Sequence, residues 1–109
     1  MFIHTVLMRL SAQADAAFHH QVQLYCQRIR AECPGLQSYW YGRNEADRHG
    51  GFEYAVVALF ASSADHDAYQ VSAAHQAMKT YMRPYIVELL ALDSGLEQAA
   101  VRSQEAATN

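Results

Sequence analysis

The order in which apolar periodicity changes along this chain is the feature that most restricts its fold. Segments that are apolar at every second residue, or continuously apolar, predict four strands, at residues 2–10, 36–43, 52–60 and 86–92. After the first strand, apolar residues three and four apart predict a helix that Ser11 or Asp15 caps and that residues 33–35 end. A further helix, in two pieces over residues 62–82, is predicted before the last strand.

The resulting order, strand–helix–strand–strand–helix–strand, predicts an α+β domain with the ferredoxin-like βαββαβ arrangement. Such a domain has a four-stranded antiparallel sheet with helices on one face, so its second face needs another cover. In this chain the second face is apolar, and an exposed apolar face of that size is unusual on a monomer. We therefore expect a homodimer in which two sheets pack face to face. The residues predicted on that face are Ile3, Thr5, Leu7, Ala55, Val57 and Leu59.

Length and charge exclude several classes of protein. The 109 residues suit one domain, predicted over residues 1–93, with residues 94–109 as a mobile tail or a short surface helix. Eleven acidic and eight basic residues give a net charge of -3, which argues against nucleic-acid binding. No apolar run approaches the roughly 20 residues of a membrane span, and the N-terminus lacks a signal-peptide pattern. We therefore expect a cytoplasmic protein that binds neither nucleic acid nor membrane.

Several short motifs follow one another in a distinctive order. They are Phe2-Ile3-His4-Thr5-Val6-Leu7, Cys33-Pro34-Gly35-Leu36, Gly42-Arg43-Asn44, Gly51-Phe52-Glu53-Tyr54-Ala55-Val56-Val57, Tyr69-Gln70-Val71-Ser72-Ala73-Ala74-His75 and Leu92-Asp93. The most specific feature is the tyrosine followed six residues later by a histidine, at Tyr69 and His75. In this order the motifs resemble the stress-responsive dimeric α/β-barrel domain family, over about residues 2–93. The resemblance implies a ferredoxin-like protomer that dimerises into an α/β barrel.

The same resemblance implies a set of site residues. A polyketide cyclase of that family performs an aldol cyclisation without a cofactor, and its working histidine and tyrosine correspond to His75 and Tyr69. A further pocket histidine of that cyclase corresponds to His4, and where it has another pocket histidine this chain has Tyr54. The resemblance therefore implies His75 and Tyr69 as catalytic residues, His4 and Tyr54 as substrate-binding residues, and no cofactor.

The residue types themselves suit proton transfer at carbon. An enolisation or aldol step needs a base whose pKa lies near the working pH and a donor for the developing oxyanion. Histidine, with an ordinary pKa of about 6.5, suits the first task, and a tyrosine hydroxyl suits the second. If the strand faces that carry His4 and Tyr54 look toward the helices, both converge with Tyr69 and His75 on an apolar pocket. Residue types alone favour a plainer alternative, in which His75 caps its helix and His4 bonds a neighbouring carbonyl.

Other kinds of site lack their sequence signals. No His-x3-His or Cys-x2-Cys spacing indicates a metal site, and Gly50-Gly51 is a turn and not a phosphate-binding loop. His49 and His66 are expected to be solvated. A metal held by His4, His75 and one carboxylate is a minor alternative. We expect neither a metal nor a cofactor.

Two functions are consistent with these features. The first is a protein that binds a small enolisable carbonyl compound between sheet and helices and acts as a cofactor-free cyclase, isomerase or lyase. The second is a non-catalytic dimeric stress-response or structural protein. A cavity lined by His75 and Tyr69 favours the first function. A filled interior, with His75 bonded only to backbone, favours the second.

Overall fold

The computed structural model describes residues 1–96 as one sheet covered by helices on one face. The strands are β1 (Phe2–Leu10), β2 (Leu36–Arg43), β3 (Tyr54–Phe60) and β4 (Ile86–Gly95). The helices are α1 (Ala16–Glu32), α2 (Ser63–Gln70) and α3 (Ala73–Met82), and a 3-10 turn (Arg83–Tyr85) leads into β4. The order βαββαβ, with the second helix in two pieces, is confirmed. The fourth strand continues to Gly95, beyond the predicted end at Leu92, and the remainder of the predicted tail lies outside the described residues.

Short polar side chains set where the helices begin. Asp15, and not Ser11, caps α1, because its carboxylate accepts a hydrogen bond from the backbone N–H of Phe18. Ser62 caps α2 and Ser72 caps α3 in the same way, through their hydroxyl oxygens. The Ser72 cap matters for the site, because it fixes the first turn of α3, which carries His75.

The sheet is antiparallel throughout, in the order β2-β3-β1-β4, which is that of a ferredoxin-like fold. Residues directly opposite each other on neighbouring strands point to the same face. One row of such residues crosses the whole sheet on the helix-facing side. It consists of Tyr39, Ala58, His4 and Asp93, in that spatial order. This register places His4, near the start of the domain, beside Asp93, near its end.

The core lies between the sheet and α1. Four residues of α1 are fully buried, namely Phe18, Val22, Cys26 and Ile29. Tyr25, beside Cys26 on the same helix, is only half-buried. The four buried residues pack against Tyr39, Tyr41 and Phe60 from the sheet and against Met78 and Met82 from α3. No helix among residues 1–96 is long and apolar enough to cross a membrane.

The second face of the sheet carries apolar side chains on all four strands. On the edge strand β4, Leu90 and Leu92 are 54% and 57% exposed, opposite Leu7 and Thr5 of β1. Trp40 is 46% exposed on the other edge strand. Its ring lies over Gly42, where an added Cβ would come 2.4 Å from Trp40 Cζ2. The predicted face therefore exists and extends onto both edge strands.

Candidate functional site

A cavity of about 370 Å³ opens between the sheet and α3. It exists because α1 covers the inner face of β2, whereas the inner face of β4 is open enough to leave Leu89 49% exposed. Most of its lining is apolar, as is usual for a small-molecule site. The apolar lining residues are Val6, Met8, Val56, Met78, Met82, Ile86, Leu89 and Ala91. The polar lining comes from His4, Tyr39, Tyr69, Gln70, His75, Lys79, Arg83 and Asp93.

His75 faces this cavity from the first turn of α3 and is 7% exposed. Its ring Nδ1 lies 3.0 Å from the carbonyl oxygen of Gln70. A carbonyl can only accept, so Nδ1 carries the hydrogen, and in the neutral ring Nε2 keeps its lone pair. Burial lowers the pKa of His75, the hydrogen bond to Gln70 opposes that shift, and the charge of Lys79 adds to it. The ring is therefore neutral near pH 7 and has a basic nitrogen.

Tyr69, from the last turn of α2, packs its ring against His75 at a centroid distance of 4.3 Å. Its hydroxyl lies 2.8 Å from that of Tyr39, and either group can donate. When Tyr39 donates, the hydroxyl hydrogen of Tyr69 is free to bond an oxygen atom in the cavity. Burial raises the pKa of Tyr69 well above its ordinary value, so the side chain is a neutral donor and not a phenolate base.

His4 lines the cavity and lies beside two other polar side chains. Its Nδ1 is 2.5 Å from the Asp93 carboxylate, its cross-strand neighbour, and 3.2 Å from His66 Nε2. His66 is only 4% exposed, so the prediction that it is solvated is wrong. The inner side of α2 packs onto the sheet, and His66 shares that side with Tyr69 three residues later.

Tyr54 does not line this cavity, so the prediction that it joins His4, Tyr69 and His75 is wrong. Its ring stacks on His19 of α1 at a centroid distance of 4.2 Å and borders a separate cavity of about 260 Å³. The face assignment was correct, but Tyr54 begins β3 and pairs with Met8, whereas His4 pairs with Ala58. Four residues separate these points, or about 13 Å along the strand at roughly 3.3 Å per residue.

Two cationic side chains, Lys79 and Arg83, border the cavity from one side of α3 and the 3-10 turn. Both are exposed, and within residues 1–96 neither forms a salt bridge. The lining therefore offers positive charge beside α3 and an imidazole–carboxylate pair on the sheet, with apolar side chains around them.

Sequence reasoning missed two side chains of this site. Asp93 stands in the motif Leu92-Asp93, but nothing local reveals that it faces His4, because that depends on the register of β4 against β1. The only local signal for His66 was its spacing from Tyr69 on α2, which puts both residues on one side of the helix.

The chain has relatives with the same fold. The family model described as Stress Responsive A/B Barrel Domain matches residues 2–95. No curated protein matches the chain in sequence. Among solved structures, a dimeric ferredoxin-like protein of unknown function from Thermobifida fusca is 24% identical, with a TM-score of 0.75 over 87% of this chain and 90% of that one.

Two further structures are similar at lower identity. Hydroxynitrile lyase from Passiflora edulis is 19% identical, with a TM-score of 0.77 over 89% of this chain and 94% of that one. A Dabb family protein with a ferredoxin-like fold from Mesorhizobium loti is 16% identical, with a TM-score of 0.72 over 88% of this chain and 96% of that one. At these identities the similarity concerns the fold.

Proposed function

We propose that this chain, a member of the stress responsive A/B barrel domain family, binds a small enolisable carbonyl compound in the cavity between its sheet and α3. It transfers the α-hydrogen of that compound without a cofactor, in a cyclase, isomerase or lyase reaction. The observation that carries the proposal is the state of His75, a buried neutral imidazole whose Nδ1 is occupied by the Gln70 carbonyl. A base of this kind beside a neutral phenol is what enolisation needs.

In this mechanism His75 Nε2 removes the α-hydrogen of the bound substrate. The electron pair of the C–H bond moves into the carbonyl group, giving an enolate, and His75 becomes an imidazolium. Tyr69 donates a hydrogen bond from its hydroxyl group to the enolate oxygen, while the Tyr39 hydroxyl donates one to the Tyr69 oxygen. In an isomerisation, His75 then returns its proton to carbon. In a cyclisation, the enolate carbon attacks a second carbonyl group of the substrate, and His75 protonates the alkoxide that forms. In a lyase reaction, the enolate expels a leaving group from the β-carbon, and His75 protonates that group.

His4 has a different role, as a substrate-binding residue. Asp93 accepts a hydrogen bond from His4 Nδ1, which sets the orientation of the imidazole in the cavity wall. A second oxygen of the substrate can bind to the His4 ring. Tyr54 plays no part in this binding mode, because it lies outside the cavity.

The charges at the cavity point to the kind of substrate. Lys79 and Arg83 offer two cations beside an apolar pocket, so the preferred substrate is an anion such as a keto acid. Replacing both residues by Gln should raise KM for such an acid and leave KM for its methyl ester unchanged. Equal effects on acid and ester would refute this assignment.

The proposed function is tested by a panel of keto acids and diketones with wild type, His75→Ala and His20→Ala. His20 is an exposed histidine of α1 and serves as the matched control. We expect turnover in wild type and in His20→Ala, and none in a folded His75→Ala. Turnover that survives in His75→Ala would exclude His75 as the base.

The alternative is a non-catalytic dimer, since bonding to the Gln70 carbonyl is also what a structural histidine does. The cavity lined by both His75 and Tyr69 favours the catalytic function. Either function is compatible with a homodimer formed through the second sheet face, which we propose because Leu90, Leu92 and Trp40 stand exposed there. The Thermobifida fusca relative is described as dimeric.

A further inference from the structure

We propose that His4, His66 and Asp93 form a binding site for a divalent transition-metal ion, and that Zn²⁺ is the ion they suit. Their ligand atoms all lie within 4.8 Å of one another, and His4 and Asp93 also line the cavity. This site goes beyond the proposed proton transfer, which uses His75 and needs no ion.

The distances between the three ligand atoms approach those of a tetrahedral site. Zn–N and Zn–O bonds of about 2.0–2.1 Å put neighbouring ligand atoms roughly 3.3 Å apart. His66 Nε2 already lies 3.2 Å from His4 Nδ1 and 3.7 Å from Asp93 Oδ1. The separation of His4 and Asp93, at 2.5 Å, is the one that must widen. The Asp93 side chain is 35% exposed on an edge strand, so it has room to turn.

Hydrogen bonds alone satisfy the polar atoms of His4, His66 and Asp93 poorly. His4 Nδ1 carries at most one hydrogen, and the carboxylate of Asp93 is its natural acceptor. His66 Nε2 then faces a nitrogen atom whose hydrogen is already used. Its other polar neighbours are the Gln70 amide nitrogen, 3.4 Å away, and Asp93 Oδ1, 3.7 Å away. When an ion binds, the hydrogen of His4 moves from Nδ1 to Nε2 and the ion replaces the hydrogen bond to Asp93. His4 Nδ1, His66 Nε2 and the Asp93 carboxylate then each give the ion one lone pair.

The ligands come from three elements that hold them in place before any ion arrives. His4 and Asp93 are cross-strand partners of β1 and β4. The His66 ring packs against Phe2 and Phe60, at centroid distances of 4.9 Å and 5.3 Å. Such an apolar shell around a ligand restricts solvent and fixes its orientation. Positions 4, 66 and 93 are far apart in sequence, which explains why no spacing motif marked them.

The donor set selects the class of ion. Two imidazoles and one carboxylate suit Zn²⁺ and its neighbours, whereas Mg²⁺ and Ca²⁺ prefer oxygen ligands alone. Three protein ligands leave a fourth position, as in zinc sites that bind water or substrate. Because His4 and Asp93 both line the cavity, that position faces it.

The test is calorimetric titration of untagged, chelator-treated protein with Zn²⁺, and with Co²⁺ to record the visible bands of a tetrahedral ion. We expect one ion per chain in wild type. Losing one ligand, in His66→Gln or Asp93→Asn, should weaken binding at least about 100-fold, since loss of an outer-shell partner alone costs 10–100-fold. His20→Gln, at an exposed histidine, should bind like wild type.

A second variant separates ligand loss from misfolding. His66→Phe keeps an aromatic ring against Phe2 and Phe60 but has no donor atom. Zn²⁺ should raise the melting temperature of wild type, reversibly with chelator, and leave that of His66→Phe unchanged. The proposal is overturned if wild type binds no Zn²⁺, or if His66→Phe binds it as tightly. Turnover by chelated wild type reports on His75 separately, so the two proposals fail independently.

Discussion

Replacing Tyr69 by Phe removes a single oxygen atom that has two roles. The atom is 2.8 Å from the Tyr39 hydroxyl, and both side chains are buried, at 1% and 5% exposure. A neutral buried hydrogen bond contributes about 0.5–1.5 kcal/mol, and the Tyr39 hydroxyl retains the Met78 sulfur, 3.8 Å away, as a weak acceptor. We therefore expect the free energy of unfolding to fall by about 1 kcal/mol.

The effect of Tyr69→Phe on turnover should be much larger than its effect on stability. Loss of one oxyanion donor typically lowers kcat by about 10²–10³-fold. Tyr39→Phe is the matched control, because it breaks the same hydrogen bond but leaves the Tyr69 hydroxyl in the cavity. We expect Tyr39→Phe to lose about 1 kcal/mol of stability as well, and less than about tenfold in kcat.

The assay combines urea unfolding of the two single variants and the double variant with turnover of the best substrate found. The free energy of unfolding of the double variant should lie within a few tenths of a kcal/mol of that of either single variant, because the same hydrogen bond is lost in all three. Equal losses of kcat in Tyr39→Phe and Tyr69→Phe would refute the assignment of Tyr69 as the oxyanion donor. Fully additive losses of stability would refute the hydrogen bond between them.

Three further perturbations test other parts of the structure. Burial lowers the pKa of His75 in the folded state, so the unfolded chain binds more protons below about pH 6.5. The free energy of unfolding should therefore fall as the pH drops below that value, and it should fall less in His75→Gln. Identical urea midpoints at pH 7.5 and pH 5 would contradict this. Leu92→Glu should halve the mass measured by light scattering, whereas Leu24→Glu, at an exposed leucine of α1, should not; a dimeric Leu92→Glu would refute the proposed interface. Gly42→Ala should push the Trp40 ring off the sheet and shift its fluorescence to the red, and an unchanged spectrum would show that the ring does not rest on Gly42.

Periodicity could predict the helices and strands in which the type of each residue follows from its own burial. Residues 2–10 predict a strand because β1 carries apolar side chains at every second position, and Phe18, Val22 and Ile29 recur because one side of α1 is buried. The family resemblance singled out His75, Tyr69 and His4, and the structure brings these three to one cavity.

The parts that could not be predicted depend on relations between distant elements. Register decides that Asp93 faces His4, and helix packing decides that His66 is buried. The prediction for Tyr54 was wrong for a related reason. Tyr54 and Ala58, the residue opposite His4, share a strand face, but a shared face does not fix the distance along the strand. The extension of β4 to Gly95 is set by its pairing with Phe2 and not by local apolar pattern.

The most direct measurement of the central claim is exchange of the α-hydrogen of a bound keto acid in D2O, followed by proton NMR. It observes the abstraction step itself and needs no knowledge of the product. Wild type should catalyse exchange well above the buffer rate, Tyr69→Phe should slow it, and His75→Gln should reduce it to the buffer rate. Exchange by His75→Gln at the wild-type rate would contradict the role of His75 Nε2 as the base.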